Sequence, residues 1–153
     1  KGLDMFLKFD IDLPVEIHGR WSRKLHDLRH SLSAKPSFLI VDEYLSEDDL
    51  SRLLSREAVF ILPYKDATQS GVLYTLLAHA KVFIASAAGE NKEFLEAHGL
   101  EKLVFDRADF VSFENAVQFA FQSYEEIREK MMLIREKYRW DVIMDPIVDE
   151  LYA

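Results

Sequence analysis

Apolar positions along the chain alternate between short uninterrupted runs and a helical repeat. The runs predict strands at Pro14–His18, Ser37–Val41, Ala58–Leu62, Lys81–Ser86 and Leu103–Phe105, most of them buried. Between them, apolar residues recur every three or four positions. Leu3, Phe6 and Leu7 predict a short helix within Gly2–Phe9; further helices carry Leu25, Leu28 and Leu32, then Leu50, Leu53 and Leu54. Val72, Leu73, Leu76, Leu77 and Ala80 mark another, and Phe113, Ala116, Val117, Ala120 and Phe121 line one face of a helix from Ser112. Boundary residues agree. Ser46 with Asp49, and Ser123 with Glu126, have capping-box spacing; Gly99 stops the helix that follows Gly89, and Asp145-Pro146 opens a last helix to Leu151. Strands alternating with helices predict an α/β fold. We expect a three-layer, Rossmann-like parallel sheet with helices on both faces and C-terminal helices packing back, as one domain over residues 1–153.

The stretch Ile61–Leu73 joins a strand to a helix through a polar loop. Pro63 ends the strand because it has no N–H, and a helix begins near Gln69–Gly71 with Thr68 or Ser70 placed to cap it. Free amides at such a helix start favour an anion, and Gly71, lacking a Cβ, lets a phosphate approach the backbone. An ordinary strand-to-helix connection has the same local pattern. In parallel sheets ligands bind beyond the carboxyl ends of the strands, and this loop leaves such an end.

Composition narrows the chemistry. The 153 residues carry 49% hydrophobic and 30% charged residues, which fits a folded soluble domain, and no apolar run reaches membrane-spanning length. The net charge of −8 opposes a duplex-binding surface. One local exception runs from His18 to His30, where Arg20, Arg23, Lys24 and Arg29 face a single acid, Asp27; it reads as a solvated helix face or an anion-facing rim. There is no cysteine, no metal-ligand spacing, no nucleophile elbow and no glycine-rich dinucleotide fingerprint. What remains is binding of a phosphorylated ligand. The chain opens at Lys1, as an excised piece of a longer protein would.

Several short pieces share one order. They are Lys1-Gly2-Leu3, Val15–Gly19, Leu62-Pro63-Tyr64 with Thr68–Leu73, Lys81–Ser86 with Gly89 and Glu93, and Tyr138-x-Trp140 before Leu151-Tyr152. In this order the chain resembles the C-terminal, donor-binding domain of group 1 (family 4) glycosyltransferases with the GT-B fold. The resemblance covers nearly the whole chain. It implies one half of a GT-B fold and transfer of a sugar from a UDP- or GDP-linked donor to a glycan, lipid or protein acceptor, as in cell-surface polysaccharide biosynthesis. Lys1 would hold the donor diphosphate with the main-chain amides of Ser70, Gly71, Val72 and Leu73. Thr68 and Gln69 would meet the sugar, Gly19 matches the glycine after the family's strand, and Tyr44 falls where base contacts lie. For Tyr44 a half-buried packing role is the alternative.

The same resemblance implies metal-independent donor binding with no cofactor. It also implies an N-terminal partner domain that is not in this sequence, so the fragment alone would be inactive. No nucleic-acid partner is expected; membrane contact would be peripheral, through the missing part, and the location cytoplasmic. Two departures stand out. Where the family has two glutamates eight positions apart, this chain has Ala67 and Thr75, and the family's first strand would precede Lys1. The missing glutamates allow a second reading, a non-catalytic nucleotide-sugar-binding domain. Asp42 and Glu43 after Phe38–Val41 also resemble a receiver domain's acidic pair, yet Ala58–Leu62 lacks the phospho-acceptor aspartate.

Overall fold

All the strands run parallel, and helices or 3₁₀ turns carry the chain between them. The structure is a computed structural model that describes residues 2–66, 71–139 and 142. It is an α/β fold, as the alternation predicts. The chain divides into two compact units, Lys1–Arg56 and Glu57–Ala153.

In the first unit, β1 (Val15–His18) pairs with β2 (Phe38–Val41), from Val15 opposite Phe38 to His18 opposite Val41. The crossover uses a 3₁₀ turn, Arg23–Leu25, and helix α1 (His26–Ser33). Leu32 of α1 is fully buried, as are Met5 and Phe6 of the 3₁₀ helix Leu3–Leu7; Phe6 meets Phe38 edge-on at 5.6 Å. Helix α2 (Glu47–Ser55) opens with the expected capping box. The Asp49 N–H donates to Ser46 Oγ at 3.1 Å, and the Ser46 N–H donates back to Asp49 Oδ2 at 3.3 Å. Aspartate thus serves where glutamate is usual. One expectation needs correction: β2 is not a buried strand throughout, because Leu39 is 56% exposed while its neighbour Phe38 is covered. In a two-stranded sheet successive side chains take opposite faces, and only one face here is packed.

The second unit holds β3 (Phe60–Leu62), β4 (Phe83–Ser86) and β5 (Val104–Phe105), with β4 in the middle. All four β4 residues are buried, so both faces of the sheet are covered. Around it lie α3 (Gly71–Ala78), α4 (Gly89–Ala97), α5 (Phe110–Gln122) and α6 (Tyr124–Lys137). Phe105 and Phe113 stack edge-to-face at 5.2 Å in the core. The end of α4 is the expected glycine stop. Gly99 has φ +63°, and the N–H groups of Gly99 and Leu100 reach back to the carbonyls of Glu96 and Leu95. The same motif closes α3 with no glycine in it. Ala80 takes φ 48°, and the Ala80 and Lys81 N–H groups donate to Leu77 and Leu76.

Three helix expectations shift. Val72 is 43% exposed and Phe121 is 53% exposed, so neither belongs to the core faces that Leu73, Leu76 and Leu77, and Phe113, Ala116 and Ala120, form. Each is one residue, about 100° of helix, beyond or before a buried neighbour. Helix α5 starts before Ser112, because Asp109 caps it by accepting from the Val111 N–H at 2.9 Å. Ser123 does begin α6, but no capping box forms there. Its backbone (φ −111°, ψ 26°) is not the extended conformation a cap needs, because the same residue closes α5 through its N–H to Phe119. The helix expected after Asp145 lies outside the described residues. Among the described residues no helix is long and apolar enough to cross a membrane.

Candidate functional site

Two places stand at the carboxyl ends of strands, one in each unit. In the first, His18 ends β1 and Val41 ends β2, and beyond them opens a cleft of about 260 Å³. Tyr44, Leu45, Glu43, the α2 residues Asp49, Arg52 and Leu53, and Arg56 just past the end of α2 line it with those two. Arg52 reaches it from the last turn of α2, and Arg56 from the extended residue that closes the helix. Gly19 continues β1 past this edge with φ +135°, a conformation that disfavours any side chain, and its N–H donates to the Val41 carbonyl at 3.1 Å. A Cβ at Gly19 would meet nothing within 4 Å, so the backbone angle alone requires glycine.

Charge in the cleft is organised by carboxylates behind it. Arg56 grips Glu16 with two hydrogen bonds of 2.7 Å, and His18 Nε2 lies 2.9 Å from the same carboxylate. The Arg56 bonds and then the His18 contact pull the Glu16 carboxyl down to about 2. Asp49 is held low by the Ser46 hydroxyl and by Arg52. Asp42, just past β2, accepts from the Trp21 N–H at 2.9 Å and pairs with Arg29, which together keep it ionised below the ordinary range. Tyr44 is 84% exposed over this edge, which corrects the half-buried packing reading. An aromatic face beside two guanidinium groups can stack on a planar ring and meet its polar rim.

In the second unit, Pro63 ends β3, and the chain is tied down at once. Ser86 Oγ, fully buried at the end of β4, donates to the Tyr64 carbonyl at 2.6 Å and lies 3.2 Å from that of Leu62. Helix α3 then begins at Gly71 in the described residues. Gly71 has ordinary helical angles, and a Cβ there would meet nothing within 4 Å. Neither backbone nor packing demands glycine at this point. Leu73 has its side chain wholly buried, so it faces a ligand only through its main chain. Thr75, at one of the departed glutamate positions, donates its hydroxyl to the Gly71 carbonyl at 2.9 Å. Tyr74 donates to Glu90 at 2.7 Å, tying the first turns of α3 and α4 together, and that bond with burial pushes the phenol up to about 12.

Of the residues singled out in the sequence, Gly19 and Tyr44 lie at the first edge, and Gly71, Val72 and Leu73 at the second. Lys1, Thr68, Gln69, Ser70 and the other departed position, Ala67, lie outside the described residues. Sequence reasoning missed Arg52, Arg56 and the Tyr74–Glu90 pair. For the arginines the signal was present, two cations four positions apart at the end of the helix after β2; for the pair no sequence spacing marks it. Among the described residues no group of three or more histidine, cysteine or acidic side chains is placed to hold a metal ion. Compared with known protein families and with curated proteins, the chain matches no family model and no curated protein.

Proposed function

We propose that the chain is the donor-binding part of a glycosyltransferase of the GT-B kind, holding a nucleoside diphosphate sugar. The observation that carries the proposal is the first-unit cleft: an exposed Tyr44 beside Arg52 and Arg56, at the carboxyl ends of parallel strands. There Tyr44 stacks on the base. A second support is Gly71, a glycine that the fold does not need at a helix start where an anion would approach. The resemblance assigns the diphosphate to the first-turn amides of α3, which would stabilise it as it departs, without a metal. Thr68 and Gln69 hydrogen-bond the sugar. The acceptor is a glycan, lipid or protein bound by a further domain of the same protein.

The Thr75 hydroxyl favours a second reading. At one of the two positions where the resembling family has a carboxylate, this chain has a group already spent on its own helix backbone. A domain that binds the nucleotide-sugar without turning it over fits that chemistry. Titration with UDP, GDP and their sugar conjugates, followed by amide NMR, tests both. Shifts at Tyr44 and at Gly71–Leu73 are expected, and Gly71→Glu removes those at the helix start. Absence of shifts with every nucleotide overturns the proposal. Binding without transfer, in a protein that includes the acceptor domain, selects the second reading.

A further inference from the structure

We infer that the segment Arg20–His30 is a docking surface for anionic lipid headgroups. With histidines neutral, His18–His30 carries four cations and one acid within a chain of net charge −8. The fold fixes how those cations are used. Asp42 takes Arg29 as its ion-pair partner and the Trp21 N–H as a hydrogen-bond donor, so it pins both ends of the segment to the end of β2. Arg20 leans on the Asp42 carbonyl at 3.5 Å. Arg23 and Lys24 are exposed on the 3₁₀ turn and make no ion pair among the described residues. Next to them Leu25 is 41% exposed, and Trp21 is half-buried.

Cations that surround an exposed leucine and a tryptophan suit one occupant best. Phosphate headgroups pair with Arg20, Arg23 and Lys24, while Leu25 enters the acyl boundary and the indole sits at headgroup level. A nucleic-acid backbone would use the charges and gain nothing from the leucine. The acidic remainder of the chain does not cancel the attraction, because charges beyond about 8 Å are screened at physiological salt. It instead favours an orientation in which this segment faces the anionic surface.

The test is sedimentation of the chain with phosphatidylcholine vesicles and with vesicles about one third phosphatidylglycerol, at low and physiological salt. Binding only to the anionic vesicles is expected, and it weakens with salt. The double variant R23A/K24A lowers affinity roughly 30-fold, about fivefold per charge. Leu25→Ser lowers it further for vesicles, whereas Lys8→Ala, outside the segment, leaves it unchanged. Circular dichroism confirms that each variant is folded. Equal binding to neutral vesicles, or an unaltered double variant, overturns the inference. So does tighter binding to a single-stranded oligonucleotide that is indifferent to Leu25→Ser, which would assign the patch to nucleic acid.

Discussion

Replacing Glu16 by glutamine removes the charge that organises the first-unit cleft, and the structure gives the size of the effect. Arg56 makes two 2.7 Å hydrogen bonds to this carboxylate and His18 a third contact, lowering the carboxyl from 4.5 to about 2. Taken at face value, that fall is roughly 3 kcal/mol of preference for the charged form. Water reaches the pair, with side-chain exposures of 29% for Glu16 and 53% for Arg56, and screening reduces the contribution to about 1 kcal/mol. The folded value lies below the unfolded one. The stabilisation is therefore complete above pH 4.5 and disappears as the pH falls to about 2. Urea unfolding of Glu16→Gln should show the loss at neutral pH and none at the acid end. Carbon-13 NMR should place the carboxyl of the parent protein far below the ordinary glutamate value. Equal stability of the two proteins at neutral pH, with a carboxyl titrating near 4.5, would refute the reasoning.

Ser86→Ala removes the buried hydroxyl that holds the Tyr64 carbonyl, and should cost about 1–2 kcal/mol in chemical denaturation. Gly19→Ala forces a side chain into φ +135° and should cost about 1–3 kcal/mol, whereas Gly71→Ala should be neutral or stabilising by up to about 1 kcal/mol. The opposite order in thermal melts would show that the two glycines have been misread. Tyr74→Phe should remove one late-titrating phenol from the ultraviolet pH titration. Because the neutral phenol is the form that bonds Glu90, its contribution is complete below pH 10 and is lost as the pH rises to about 12.

The fold was legible because its signals are local. Uninterrupted runs gave the strands, and Ser46 with Asp49 and Gly99 with its preceding helix gave boundaries that the hydrogen bonds bear out. Where reading failed, a residue answered to a constraint that sequence spacing does not carry. Ala80 closes α3 in a glycine's conformation, and Ser123 is shared between two helices, so neither looks like what it does. Val72 and Phe121 are apolar residues a step off the buried stripe, which periodicity alone does not separate from it. The candidate site was less legible than the fold. Tyr44 was singled out through the family resemblance, but Arg52 and Arg56 are held by Asp49 and Glu16, and Glu16 is 40 positions from Arg56. Long-range pairing of that kind leaves no periodic trace.

The single residue between α5 and α6 makes the C-terminal half of the second unit sensitive to length rather than to identity. Ser123 makes no side-chain cap, so its replacement changes little. An added residue is different, since each one turns everything downstream by about 100°. Ile127, Met131 and Ile134, now on the core side of α6, would swing out, and Glu126, Lys130 and the exposed Leu133 would move into their places. The joint thus acts as a phase lock, because a shift of one residue would set the charges of Glu126 and Lys130 against the core. Insertions belong at Lys65–Asp66, where the chain is exposed, and not here.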